Sequence, residues 1–209
     1  MSFDLYFDIE TGPSFDAELY KPTFEASRVL KDPAKIAADI ADKEQAWRDK
    51  LALSALTGRI VAIGWAVDDE PFQWVGEDEN TNEGDIIRKF FEVAQSCEKL
   101  VGFNSHSFDL PFIYRRALRW TKVPIPYDSI FPRRRRLSTI HTDIMEEWCM
   151  FDNQSRVSLN NLARFFGLEG KTGNGKDFAE LYRINREEAV AYLKHDVELT
   201  RQIANRMGF

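Results

Sequence analysis

Residues 3–13 read FDLYFDIETGP, and this stretch constrains the fold more than any other. Phe3, Leu5, Tyr6, Phe7 and Ile9 make an apolar, aromatic run of the length of a buried strand. Asp8 and Glu10 stand at its downstream end at alternate positions, so a strand would place both side chains on one face. Thr11, Gly12 and Pro13 then supply turn chemistry. Two carboxylates held against a core repel each other, and one is driven to take up a proton. A bound divalent cation removes both penalties, and hard oxygen ligands on a rigid strand suit Mg²⁺ or Mn²⁺. The other reading is a strand end that emerges into solvent. Spacing alone does not choose, because acid-x-acid pairs occur seven times in the chain; only Asp8/Glu10 interrupts an apolar strand.

Downstream, strand and helix patterns alternate. Asp32–Pro33 opens a long helix with Ile36, Ile40, Trp47 and Leu51 on one stripe and Gly58 at its close. RIVAIGWAV (59–67) and PFQWVG (71–76) read as a hairpin, 83–97 as a helix, KLVGFN (99–104) as a short buried strand and 109–120 as a helix. A strand near TIHTDI (139–144) precedes helical stretches at about 158–166, 177–183 and 186–207. That order predicts an α/β fold, a mixed β-sheet flanked by helices. The 209 residues suit one domain, with a helical insertion at about 13–58 between the first and second strands.

Two further acids stand in matching contexts. In VGFNSHSFDLPF (101–112), Asp109 opens a helix two residues before Pro111, a good N-terminus in its own right that also presents a carboxylate near a strand end. Asn104 either makes the turn or orients a ligand. In the last helix Tyr192 and Asp196 are four apart and share a face. They fit a surface hydrogen-bonded pair, or a ligand and a phenol that holds a water for attack. His195 lies about 100° round the helix from Asp196, which makes it a weaker general base than Tyr192.

In this order, FDIET, NSHSFDLP and YLKHD resemble the three exonuclease motifs of the DEDD superfamily, which includes polymerase proofreading domains. The naming acids fall on Asp8, Glu10, Asp109 and Asp196, and Tyr192 matches the tyrosine (DEDDy) subgroup; the histidine subgroup would place His where Ala191 stands. The likeness is nearest to stand-alone relatives of family-B polymerase proofreading domains. It implies a ribonuclease-H-like fold and release of nucleoside monophosphates from a 3′ end by two divalent metal ions. By that resemblance Asp8, Glu10 and Asp196 hold the ion that activates water, Asp8 and Asp109 hold the second, and Tyr192 positions the water. Thr11, Asn104 and Phe108 are implied contacts to the terminal nucleotide.

The expected partner is therefore single-stranded DNA or RNA at its 3′ end, with any replication or repair partners unspecified. A ribonuclease-H-like endonuclease and a catalytically silent nucleic-acid-binding module are the competing functions. Arg133–Arg136 fits either a phosphate-tracking loop or a solvated charge run. GKTGNGKD (170–177) departs from a P-loop by ending in Asp177 and following a helix, and it reads as a loop. His141 and Asp143 fit either supports of the acids or plain strand residues. The net charge of −6 argues against a general polyanion-coating protein. Cys97 and Cys149, far apart and outside any metal-binding pattern, read as reduced thiols in a cytoplasmic protein, and no apolar run is long enough to span a membrane.

Overall fold

The computed structural model describes residues 3–120, 122–127, 130–131, 140–150, 152–170 and 178–209. Arg133–Arg136 and residues 171–177 of the glycine-rich loop lie outside them. The strands are β1 (Asp4–Pro13), β2 (Gly58–Val67), β3 (Gln73–Gly76), β4 (Lys99–Gly102) and β5 (His141–Asp143). The helices are α1 (Pro33–Arg48), α2 (Glu83–Ala94), α3 (Asp109–Ala117), α4 (Ile144–Cys149), α5 (Leu159–Phe165), α6 (Phe178–Ile184) and α7 (Arg186–Met207).

One five-stranded mixed sheet runs β3-β2-β1-β4-β5. β1, β2 and β3 pair antiparallel, while β4 and β5 join parallel to β1 through crossovers carrying α2 and α3. The period-two pattern of β1 sorts its side chains between two cores. Leu5, Phe7 and Ile9 pack with α2 and α3, whereas Tyr6 packs with α5, α6 and α7. Asp8 and Glu10 share the parity of Tyr6, so the carboxylates are carried on the α7 face.

Gly64 pairs with Asp8 across β1 and β2. A Cβ there would stand 2.8 Å from Leu193 Cγ and 2.7 Å from Phe72 Cε2. A missing side chain thus lets α7 lie close over the sheet at the level of the first carboxylate. Immediately beyond, the register shifts between Glu10 and Thr11, so Val61 of β2 is passed over. Such bulges re-aim side chains at strand ends.

Behind the sheet, Glu83 at the start of α2 meets Arg116 of α3 at 2.7 Å with both side chains 4% exposed. Glu83 also accepts from Ile60 N–H and Trp120 Nε1, tying α2, α3 and β2 together.

Between Pro13 and Gly58 the chain departs from expectation. Asp32 caps α1 as its sequence suggests, but the helix stops at Arg48, and Leu51 belongs to a separate 3₁₀ turn. No residue of α1 is buried. Its Trp47 stripe meets Phe24 at 6.3 Å, and Arg48 pairs with Glu18, so the helix is clasped by the segment that precedes it rather than laid on the sheet. The helix α4 is absent from the sequence reading; Asp143 nucleates it by accepting from Met145 and Glu146 N–H.

Candidate active site

Asp8 and Glu10 come from the end of β1, and Asp196 from the middle of α7. Each offers a carboxylate oxygen, and the three oxygens lie within 4.8 Å of one another. Glu10 and Asp196 are buried and Asp8 is half-buried. The reason lies in the helix: Leu193 and Val197 are fully buried against the sheet, which turns Asp196 inward beside them. A compact set of hard oxygens, two buried and one half-buried, fits a divalent cation of the Mg²⁺ or Mn²⁺ type.

Asp109 approaches from the opposite edge of β1. β4 pairs with β1 only from Asp4 to Tyr6, so beyond Tyr6 the neighbouring strand has ended. There the main-chain N–H of Ile9 donates to Asp109 Oδ1 at 3.1 Å. Asp109 is buried at the first position of α3, while Phe108 occupies the cap position without a side-chain cap bond. Its carboxylate therefore sits on the one residue that separates Asp8 from Glu10.

The turn before Asp109 is held by Asp143. Asp143 Oδ1 accepts from Asn104 N–H and Oδ2 from His106 N–H, both at 2.9 Å. Asn104 takes the left-handed conformation with φ 58°. Burial raises the Asp143 pKa, against which the His106 N–H pulls it down. Next to it, burial and then the neighbouring His106 push the His141 pKa down to about 3. His141 Nε2 meets Ser105 Oγ at 3.1 Å. Donor atoms of His106, Asp143 and Glu146 also lie within 4.8 Å of one another. That group is engaged internally: His106 Nδ1 is 2.6 Å from Glu146 Oε2, and Asp143 serves main-chain donors. From the sequence Asp143 fits either a support of the acids or a strand residue, and Glu146 was missed because the cue, an Asp three residues before an acid at a helix start, is common.

Tyr192, half-buried one turn before Asp196, has its ring 6.4 Å from that of Phe178 on α6. Thr11 Oγ1 donates to the Ala52 carbonyl, so the insertion returns beside the β1 end. Asn104 Oδ1 is buried, and Phe108 packs its ring on Phe112 at 5.4 Å. His195 is on α7 beside Asp196 and outside the group of three acids.

Residues 53–204 match the family model described as "Predicted 3'-5' exonuclease related to the exonuclease domain of PolB". The chain belongs to this family. Asn104, Phe108, Asp109, Tyr192 and Asp196 of this PolB-exonuclease-related chain fall inside the matched segment; Asp8, Glu10 and Thr11 precede it. Two proteins named DNA polymerase 1 are also similar over 92 residues, 43% of this chain. That of Sulfurisphaera ohwakuensis is 32% identical. That of Sulfolobus acidocaldarius is 29% identical over the same extent. The matched segment is 9% of each polymerase. Among solved structures, the family B DNA polymerase of Pyrobaculum calidifontis superposes on 99% of this chain and 24% of its own, with TM-score 0.62 and 18% identity. The fold is that of a PolB exonuclease, ribonuclease-H-like domain.

Proposed function

We propose that the chain is a metal-dependent 3′–5′ exonuclease of the tyrosine subgroup that removes nucleoside monophosphates from single-stranded DNA or RNA. The observation that carries this reading is the convergence of Asp8, Glu10 and Asp196, from two remote segments, to within 4.8 Å. Family membership supports the reaction class, and Asp109 on the Ile9 N–H brings a fourth carboxylate to the same strand end.

In this reading Asp8, Glu10 and Asp196 would hold one divalent cation, and Asp8 with Asp109 would hold another. When bound, such cations stabilise charge on the phosphoryl and leaving oxygens and ease deprotonation of water. The Tyr192 hydroxyl hydrogen-bonds the attacking water and aims it in line with the scissile bond. The P–O3′ bond breaks, the water oxygen joins the phosphorus, and the leaving 3′ oxygen gains a proton. Asn104 and Phe108 border the terminal nucleotide. Thr11, its hydroxyl proton committed to Ala52, keeps oxygen lone pairs to accept from it. Cys97 and Cys149 are free thiols, in keeping with a cytoplasmic setting. No helix among the described residues is long and apolar enough to cross a membrane.

Linear strands labelled at the 5′ end and internally labelled circular strands, incubated with Mg²⁺, Mn²⁺ or chelator, test this reading. A metal-dependent ladder that shortens from the unlabelled end, with circles intact, is expected. Cleaved circles would mean an endonuclease, and binding without products a silent module.

A further inference from the structure

We propose that Asp143 is a positioning residue of this centre: its carboxylate sets the Asn104–Phe108 turn and thereby the placement of Asp109. Asp143 is 1% exposed at the end of β5. The parallel register pairs it with Gly102, the last residue of β4, so it stands where the turn begins. A Cβ on Gly102 would come 2.4 Å from Ser105 Oγ, so the turn folds back tightly on the strand it leaves.

A carboxylate is more than the local helix requires. Capping α4 takes one oxygen, which Met145 and Glu146 N–H share at 3.0 and 3.4 Å. A serine or asparagine would serve equally there. The same Oδ1 also accepts from Asn104, and Oδ2 accepts from His106. These donors lie in a segment 39 and 37 residues away. Burying a carboxylate is costly unless it is hydrogen-bonded, and these two donors supply bonds that the helix cap alone does not. From the fixed turn the order passes directly into α3: Ser105 carbonyl accepts Leu110 N–H, and Asn104 carbonyl accepts Phe108 N–H. Asp109 lies between those two donors and reaches Ile9. The left-handed Asn104 is held from both sides, by its N–H on Asp143 and its carbonyl on Phe108.

The test is Asp143→Asn in the full chain. An amide has one acceptor oxygen, so in either orientation an N–H₂ group faces a main-chain N–H. The helix cap survives in one of the two orientations. In that orientation the same oxygen keeps the Asn104 N–H and the N–H₂ group faces His106, so hydrogen exchange at the His106 amide is expected to accelerate at least about 10-fold while α7 keeps its protection. Mn²⁺ affinity and kcat are expected to fall about 10–100-fold, the usual range for supports of metal ligands, with KM little changed. Ser158→Ala, which removes the cap of the remote α5, is the control and should leave Mn²⁺ affinity and kcat as they are. Wild-type exchange at the His106 amide, unaltered Mn²⁺ affinity and kcat, or an equal loss in Ser158→Ala would overturn the proposal. The catalytic consequence rests on the exonuclease reading. If wild-type protein degraded no strand, that reading would fail, while the exchange rates would still decide whether Asp143 governs the turn.

Discussion

Ile9 N–H and the Asp109 carboxylate meet at 3.1 Å across 100 residues of sequence. Ile9 turns its side chain into one core, while its two flanking acids face the other. Its main-chain donor, left over where β4 stops, draws a carboxylate from α3. One strand end thus gathers acids from both of its sides.

Crowded carboxylates are unfavourable without a cation, and that gives the acidic group a stability signature. Asp8→Ala or Asp196→Ala is expected to abolish turnover while leaving the metal-free melting temperature unchanged or higher. Normal turnover in either variant, measured on a labelled single strand, would remove these residues from the reaction.

Tyr192 is one turn from Asp196 and is assigned to water rather than to a cation. Tyr192→Phe keeps the ring on Phe178 and deletes only the hydroxyl. The rate should drop by about 10²-fold, within the range for a positioned proton-transfer group. Mn²⁺ affinity should hold. Loss of Mn²⁺ binding in this variant would make the hydroxyl structural instead.

Gly64→Ala probes the approach of α7 to the sheet. The added methyl would stand within 3 Å of both Leu193 and Phe72, and overpacking of this kind costs about 1–3 kcal/mol. Because Gly64 pairs with Asp8, the displaced helix carries Asp196 away from its partners. Activity should fall further than stability explains. Denaturant unfolding compared with turnover at equal folded fraction checks it, and a proportional loss would refute the link.

His141 makes the fold acid-sensitive. Unfolded, it takes up a proton near 6.5; folded, it does so only near 3. Its contribution is present above pH 6.5 and is lost as pH falls, by about 1.4 kcal/mol per pH unit across that window. The raised Asp143 pKa acts in the opposite sense, so the difference between wild type and His141→Gln isolates the histidine. The variant should be less stable at pH 7, with a gap that narrows toward pH 5. A constant gap would mean that His141 titrates in the fold as it does in the unfolded chain.

Much of this was legible in residue patterns, for reasons that differ by element. β1 and α7 declare themselves through period-two and 3.6-residue stripes, and each carries its acids at positions the stripe fixes. Asp109 was legible as a helix opener, but its reach to Ile9 depends on where β4 ends, which no local pattern encodes. The end of α1 was misjudged because Leu51 continues the apolar stripe; it is recruited instead by the 3₁₀ turn whose carbonyl receives the Thr57 hydroxyl. The helix α4, six residues long, offers too few turns for a period to show. The burial of Asp143 was invisible for a related reason: its partners are main-chain donors, which leave no trace in residue identity.

Calorimetric titration of Mn²⁺ into wild-type protein, Asp8→Ala and Asp196→Ala tests the central claim most directly. The account predicts binding to the wild type that is lost or weakened at least about 10-fold in each variant. Equal Mn²⁺ binding by all three proteins would contradict it.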